Sequence, residues 1–218
     1  MSIDAEHLAT RLSETICSAP GAGGDAMGWL WPALLRELAR GHPVTVDDLA
    51  HTTGRRASEV RDGLAGLSDT EYDEHGAVVG HGITLRETPH QFTVAGQALY
   101  TWCALDTLIF PTVLGRPAQV VSLTPGSGEL VHLSVDPDSG ITALEPATAV
   151  VSVLIPDGGA SSVRAAFCDQ VHFFTTAAAA QHWLTEHPGG TVLSMEEAFD
   201  LGRRLAQDMV AGGHTGCC

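Results

Sequence analysis

The stretch Leu99-Tyr100-Thr101-Trp102-Cys103-Ala104-Leu105-Asp106-Thr107-Leu108-Ile109-Phe110-Pro111 joins a helical, turn-rich first half of the chain to a β-rich second half. Its apolar density predicts a helix from about Gln97 to Leu114, closed by Gly115, with Pro111 bending or stopping the last turns. On such a helix Cys103 and Asp106 share one face, their Cβ atoms about 5 to 6 Å apart. A carboxylate among apolar side chains has to be solvated, paired or protonated, because unpaired burial is costly. Two forms of relief are open to Asp106: proton exchange with the neighbouring thiol, or a bond to backbone or to Arg86, Arg116 or Arg164. Phe167-Cys168-Asp169-Gln170-Val171-His172-Phe173-Phe174 offers a second sulfur that a fold could set opposite the first. Two thiols and one acid make a site for a soft metal and a proton.

Upstream, Ala5 to Ile16 is amphipathic, and a helical pattern runs from Trp29 to Arg40 with Pro32 in a first turn and a stop at Gly41. Thr45 caps a short helix over Val46 to Ala50, Thr53-Gly54-Arg55 turns, and a further helix passes through Val60 to Leu67, which is a helix-turn-helix pattern. Asp73-Glu74-His75-Gly76 then punctuates two alternating runs, Val78, Ile83 and Leu85 followed by Phe92 and Val94, as in the β-ribbon of a winged helix. Downstream, Gln119 to Leu123, Leu130 to Val135, Ile141 to Leu144 and Ala149 to Ile155 are expected to form a mostly antiparallel sheet. Helical pieces return at Val163 to Cys168, Ala177 to Glu186 and Met195 to Val210, the last with Ser194 and Glu197 as a capping box. The class is α+β. Residues 1–95 read as a helical winged-helix-like domain, 96–211 as a mixed β-sheet catalytic domain that includes the Cys103 helix, and 212–218 as a flexible tail.

A chain of 218 residues with 44% hydrophobic and 17% charged residues is globular rather than disordered. Its formal charge of −15 repels phosphate backbones and anionic lipid, so neither nucleic acid nor membrane is an expected partner. Met1-Ser2-Ile3-Asp4 lacks the basic start of a signal peptide and no run is long enough to span a bilayer, which places the protein in the cytoplasm. The cysteines number five, with no Cys-x-x-Cys pair, and read as reduced thiols rather than a disulfide framework or a zinc site.

A cysteine in an apolar run is ordinarily a small buried hydrophobe, and Cys17 reads that way. Cys168 and His172 have the same packing reading. The alternative sets His172 beside Cys103 or Cys168 as a Cys-His nucleophile pair. The tail Gly212-Gly213-His214-Thr215-Gly216-Cys217-Cys218 has the composition of a frayed end, yet its adjacent thiols are also suited to catching a thiophilic ion.

In these segments the chain resembles the organomercurial, or alkylmercury, lyases of bacterial mercury resistance. The likeness runs from about Pro32 to Arg204 and is carried by Leu34-Leu35-Arg36-Glu37-Leu38-Ala39, Thr70-Glu71-Tyr72-Asp73, Gly80-His81-Gly82-Ile83-Thr84-Leu85-Arg86-Glu87-Thr88, the Cys103 segment through Arg116, Phe167-Cys168 with Val171-His172-Phe173-Phe174, and Glu197-Ala198-Phe199. The resemblance implies a winged-helix-like part followed by a mixed sheet, with Cys103, Cys168 and Asp106 as the catalytic set that also holds mercury. The implied reaction is protonolysis of an alkyl or aryl mercurial to a hydrocarbon and Hg(II), inside walls formed by Trp102, Leu105, Phe167 and Phe173. No cofactor is implied beyond external small thiols that release the product, with a mercuric reductase as its acceptor. Some relatives carry a further cysteine where this chain has Asp169, and some a cysteine where it has Thr124. Cys217 and Cys218 are similar to the paired C-terminal cysteines of mercuric reductases and form a candidate product-transfer pair.

A non-catalytic winged-helix sensor responsive to organomercury or Hg(II), or a scavenger, is the competing expectation, since Arg55, Arg56 and Arg61 would line a recognition helix. Asp47, Asp48, Glu59, Asp62, Asp69, Glu71, Asp73 and Glu74 surround them with a field unfavourable to DNA.

Overall fold

The computed structural model describes residues 8, 10–12, 25–155 and 162–211. Cys17, most of the expected helix over 5–16, and the tail 212–218 lie outside the described residues.

The first half opens with α1 (Asp25–Trp29) and α2 (Trp31–Leu38). Pro32 sits at the start of α2, where its missing N–H forfeits no intrahelical bond. Leu34, Leu35 and Leu38 of that helix are completely buried. Thr45 starts α3 (Val46–Thr53) with a reciprocal cap: its hydroxyl accepts from the Asp48 N–H at 3.1 Å, and its own N–H donates to Asp48 Oδ2 at 2.9 Å. Gly54, at φ 68°, supplies the left-handed residue that ends α3 and turns the chain into α4 (Ala57–Gly66). This is the expected helix-turn-helix. Two of its arginines are already engaged, Arg56 Nε with Glu59 at 3.0 Å and Arg55 with Glu59 at 3.5 Å.

The ribbon that follows is larger than alternation alone indicated. β1 (Glu71–Tyr72), β2 (Val78–His81), β3 (Ile83–Thr84), β4 (His90–Val94), β5 (Gln97–Thr101), β6 (Ala118–Leu123), β7 (Leu130–Asp136) and β8 (Gly140–Glu145) make one eight-stranded antiparallel sheet in the order β1-β2-β3-β5-β4-β6-β7-β8. β4 is the link between halves, pairing β5 on one side and β6 on the other, from His90 opposite Ser122 to Val94 opposite Ala118. The boundary at 95/96 therefore falls in the turn of the β4–β5 hairpin, with the sheet continuous across it. The last expected strand leaves this sheet: β9 (Val150–Val153) is the centre of a second, three-stranded one, between β10 (Phe173–Phe174) and β11 (Thr191–Ser194).

The expected helix over 97–114 needs correction at its first half. Residues 97–101 form β5, a turn occupies 102–105, and α5 spans Asp106–Leu114. From Ala98 to Thr101 exposed or half-buried positions alternate with buried Leu99 and Thr101, so a period of two lies under the apolar composition. Pro111 stands inside α5, which runs on to a left-handed Gly115. The remaining helices are α6 (Val163–Ala166), α7 (Gln181–Glu186) and α8 (Met195–Ala211), with a 3-10 turn at Cys168–Gln170. The cap of α8 is as expected: Ser194 Oγ accepts from the Glu197 N–H at 3.2 Å, and the Ser194 N–H donates to Glu197 Oε2 at 2.9 Å. α8 lies against α5 so closely that a Cβ on Gly202 would stand 3.3 Å from the Leu108 backbone. Thus α5 is packed between α8 and the sheet, and its N-terminus is fixed where the site begins.

Candidate active site

Cys103 occupies the turn between β5 and α5, and each peptide around it is tied. The Trp102 N–H donates to the Gly82 carbonyl at 3.0 Å, and Thr101 Oγ1 donates to the Cys103 carbonyl at 2.9 Å. The Cys103 N–H donates to Asp106 Oδ2 at 3.2 Å, so the acid in the first turn of α5 reaches back to cap the turn that carries the thiol. One further bond, from the Ala104 N–H to the Val171 carbonyl at 3.1 Å, fastens this turn to the one that carries Cys168. Val171 in turn donates to the Cys168 carbonyl at 3.1 Å. Cys103 and Cys168 are thus neighbours because two turns share a backbone clasp.

The two sulfurs and a carboxylate oxygen of Asp106 lie within 4.8 Å of one another, and all three residues are buried. Burial pushes Asp106 up to about 7, against the opposing pull of its hydrogen bonds to the side chain and backbone of Cys103 and of the Arg164 charge. Burial likewise holds the Cys103 thiol well above its ordinary value, and its hydrogen bond to Cys168 and the Asp106 charge act in the same direction. For Cys168 the bond to Cys103 pulls the value down, but burial and the charges of Asp106 and Asp169 outweigh it and the net direction is upward. Around neutral pH the cluster therefore holds its thiol protons, and its acid is poised between the two forms. Such a group can take a proton and return it at little cost in either direction.

A cavity of about 90 Å³ opens beside the cluster. Asp106 and Cys168 border it, with Trp102, Ile109, Phe110 and Phe167 among its apolar walls. Of the expected walls, Trp102 and Phe167 hold that place. Leu105 and Phe173 are wholly buried in the core and do not border the cavity. Gly82 does, because its φ of 82° and lack of a side chain admit Phe110, whose Cζ would stand 2.6 Å from any Cβ there.

Behind Trp102 lies a polar clamp that was not evident from spacing. Glu71, buried in β1, accepts from Thr84 Oγ1 at 2.6 Å, from Trp102 Nε1 at 3.2 Å and from the Arg164 guanidinium. That guanidinium also lies over the Trp102 ring at 4.9 Å, and the Arg164 N–H donates to Asp69 Oδ2 at 3.2 Å. Burial opposes the Glu71 charge, yet these donors hold its carboxyl below the usual range. His81, at the end of β2, is a further wall whose place was not expected. In sequence Glu71 was one acid among Asp69, Asp73 and Glu74, and nothing marked it as the buried one.

The other candidates fall elsewhere. The His172 backbone N–H donates to Ser152 Oγ at 2.9 Å and its ring faces His90 and Phe174, and no hydrogen bond from that ring to a cysteine is found among the described residues. Thr124 spends its hydroxyl on Ser127 and the Glu129 carbonyl in the β6–β7 turn. Asp169 is half exposed with Arg164 Nε at 4.0 Å. Cys217 and Cys218 lie outside the described residues.

Comparison with known proteins gives concordant matches. A family model described as "Alkylmercury lyase" matches residues 83–207, and one described as "Helix-turn-helix domain of alkylmercury lyase" matches residues 7–82. The two meet at the tight turn between β2 and β3. The chain is similar to the alkylmercury lyase of Streptomyces lividans, 51% identical over 219 residues and 100% of both chains. It is likewise similar to those of Bacillus cereus, 48% identical over 100% of this chain and 99% of the relative, and Pseudomonas putida, 38% identical over 95% and 96%. Among solved structures, the crystal structure of the mercury-bound form of MerB2 shares the fold at a TM-score of 0.76 and 22% identity, covering 94% of this chain and 99% of that one.

Proposed function

The chain belongs to the alkylmercury lyase family, whose members cleave the carbon–mercury bond of organomercurials in mercury resistance, and on that premise we propose that Cys103, Cys168 and Asp106 carry out the reaction. The observation that carries this is their convergence, two thiols and one acid within 4.8 Å in a buried setting. Mercury(II) is soft and prefers sulfur, so a substrate R-Hg-X exchanges X for a thiolate readily. The carbon–mercury bond is the harder one to break.

Asp106 as carboxylate takes the proton of Cys103, its side-chain hydrogen-bond partner, as that sulfur binds mercury and X departs as an anion. The acid now holds a proton beside the bound carbon. Cys168 adds its sulfur to the metal, which weakens the bond to carbon. Asp106 protonates the carbon as that bond breaks, R leaves as R-H with both bonding electrons, and the proton of Cys168 passes to Asp106. Mercury(II) is left on two thiolates with Asp106 protonated, so every proton is accounted for. A pKa near 7 suits a group that must act first as base and then as acid. The apolar walls exclude competing water and suit a hydrocarbon group.

Release of Hg(II) falls to external small thiols, with a mercuric reductase as acceptor and the Cys217–Cys218 pair as a transfer station. The cytoplasm supplies such thiols, and no helix among the described residues is long and apolar enough to cross a membrane. The test is hydrocarbon release: wild type with phenylmercury and excess thiol is expected to give benzene, measured by gas chromatography. Cys103→Ser, Cys168→Ser and Asp106→Ala are each expected to reduce it by at least about a thousandfold. Benzene from all three at the wild-type rate would refute the assignment.

A further inference from the structure

We propose that His81 is a specificity-determining residue of the substrate cavity, supplying a hydrogen-bonding group for organomercurials whose organic portion carries a hydroxyl or similar polar substituent; this rests on the lyase chemistry assigned to Cys103, Cys168 and Asp106. His81 walls the same cavity as Asp106 and Cys168. Its ring stacks on Trp102, with centroids 5.3 Å apart and planes inclined by 28°, which fixes its orientation at the mouth of the catalytic turn. Neither Nδ1 nor Nε2 has a hydrogen-bond partner, although both are shielded from solvent.

Orphaned nitrogens are costly, and they are not a general feature of this neighbourhood. Glu71 next to it takes three donors, and the buried His90 bonds Ser122 Oγ through Nδ1 at 2.7 Å. The other polar walls outside the catalytic set are Ser68, whose Oγ donates to Asp69 Oδ2 at 3.4 Å, and Asp69, which also accepts from Ser162 Oγ at 2.7 Å and from the Arg164 N–H. Burial lowers the His81 pKa to about 4, so near neutrality the ring is uncharged and offers one N–H donor and one bare acceptor nitrogen. A hydroxyl can satisfy either one. A methyl or unsubstituted phenyl group satisfies neither. A site built to bond a polar group discriminates against the analogue that lacks it, because its own polar atoms are then left unmet.

The test compares kcat/KM for hydroxyphenylmercury and phenylmercury, read as phenol and benzene, in wild type and His81→Phe. Phenylalanine keeps an aromatic ring against Trp102 and removes both nitrogens. The hydroxyphenyl-to-phenyl ratio of kcat/KM is expected to fall by about tenfold in the variant, through KM for hydroxyphenylmercury. Comparing ratios between proteins cancels the intrinsic reactivity of the two substrates. His81→Leu carries the same expectation should the Phe variant not fold. An unchanged ratio in a folded variant, or equal slowing of both substrates, would overturn the role of His81 while leaving the lyase assignment standing. Failure of wild type to release either hydrocarbon would overturn both.

Discussion

Cys103 is held mainly by bonds that span three residues or fewer, whereas Cys168 is held by bonds that reach across the chain. On the first bank, Thr101, Cys103, Ala104, Asp106 and Thr107 close a turn on themselves: Thr101 Oγ1 to the Cys103 carbonyl, Cys103 N–H to Asp106, and Thr107 Oγ1 to the Ala104 carbonyl at 2.7 Å. On the second bank, α6 and the 3-10 turn are anchored by Arg164 to Glu71 and Asp69, by Ser162 to Asp69, and by the Ala104–Val171 clasp. The thiol–acid pair is therefore a local product of its sequence, and the second thiol is delivered by tertiary structure. Perturbing the clamp should move Cys168 relative to a Cys103–Asp106 unit that stays intact.

The largest expected effect on stability lies on the local bank. Because the folded-state pKa of Asp106 is raised to about 7 from its ordinary value of 3.8, the folded protein binds its proton more tightly than the unfolded chain. Stability contributed by the protonated acid is full below the unfolded value and is lost as pH rises through about 7, a penalty of up to a few kcal/mol at pH 8. Asp106→Asn is expected to flatten that slope and to exceed wild type in urea midpoint at pH 8, with the gap closing toward pH 4. A wild-type stability that rises between pH 4 and pH 7 relative to the variant would show Asp106 to be a charge-stabilised acid.

Next comes the long-range bank. Glu71→Gln keeps one carbonyl acceptor, for Trp102, and sets its NH2 group against the Thr84 hydroxyl, which can accept, but it removes the charge facing Arg164, and about 2 kcal/mol of stability is expected to go with it. Since the folded Glu71 value is lowered, its contribution is present above the unfolded value near 4.5 and is lost as pH falls through the folded one. The variant and wild type should therefore converge in acid. Turnover should drop with this variant while single-turnover capture of phenylmercury by Cys103 persists. Equal loss of capture and turnover would mean that the banks are not separable.

The smallest effect is a control remote from both. Thr45→Ala removes the cap of α3 at a cost of about 1 kcal/mol, seen as a lower urea midpoint with benzene release unchanged. A matching fall in turnover would mean that activity follows global stability rather than either bank.

The same contrast accounts for what could be read from sequence. The helix-turn-helix, the strands β6 to β8, the cap of α8 and the Cys103–Asp106 pair all rest on short-range signals, and each is found. The pair survived an incorrect helix start because three residues close a turn before a helix as well as they share a helical face. β5 was hidden by its composition: Leu99, Tyr100 and Thr101 run into Trp102 and Cys103 without a polar break, so inward and outward positions look alike. Glu71 and His81 could not be singled out, since the bonds of Glu71 come from residues 13, 31 and 93 positions away and His81 owes its place to stacking on Trp102.

In the proposed mechanism capture of mercury and protonation of carbon are separate duties, the first given to thiols and the second to Asp106. Asp106→Ala mixed with one equivalent of phenylmercury tests it directly, with free thiol titrated and benzene followed in the same sample. Loss of reactive thiol without benzene is the expected result. Benzene at the wild-type single-turnover rate would contradict it.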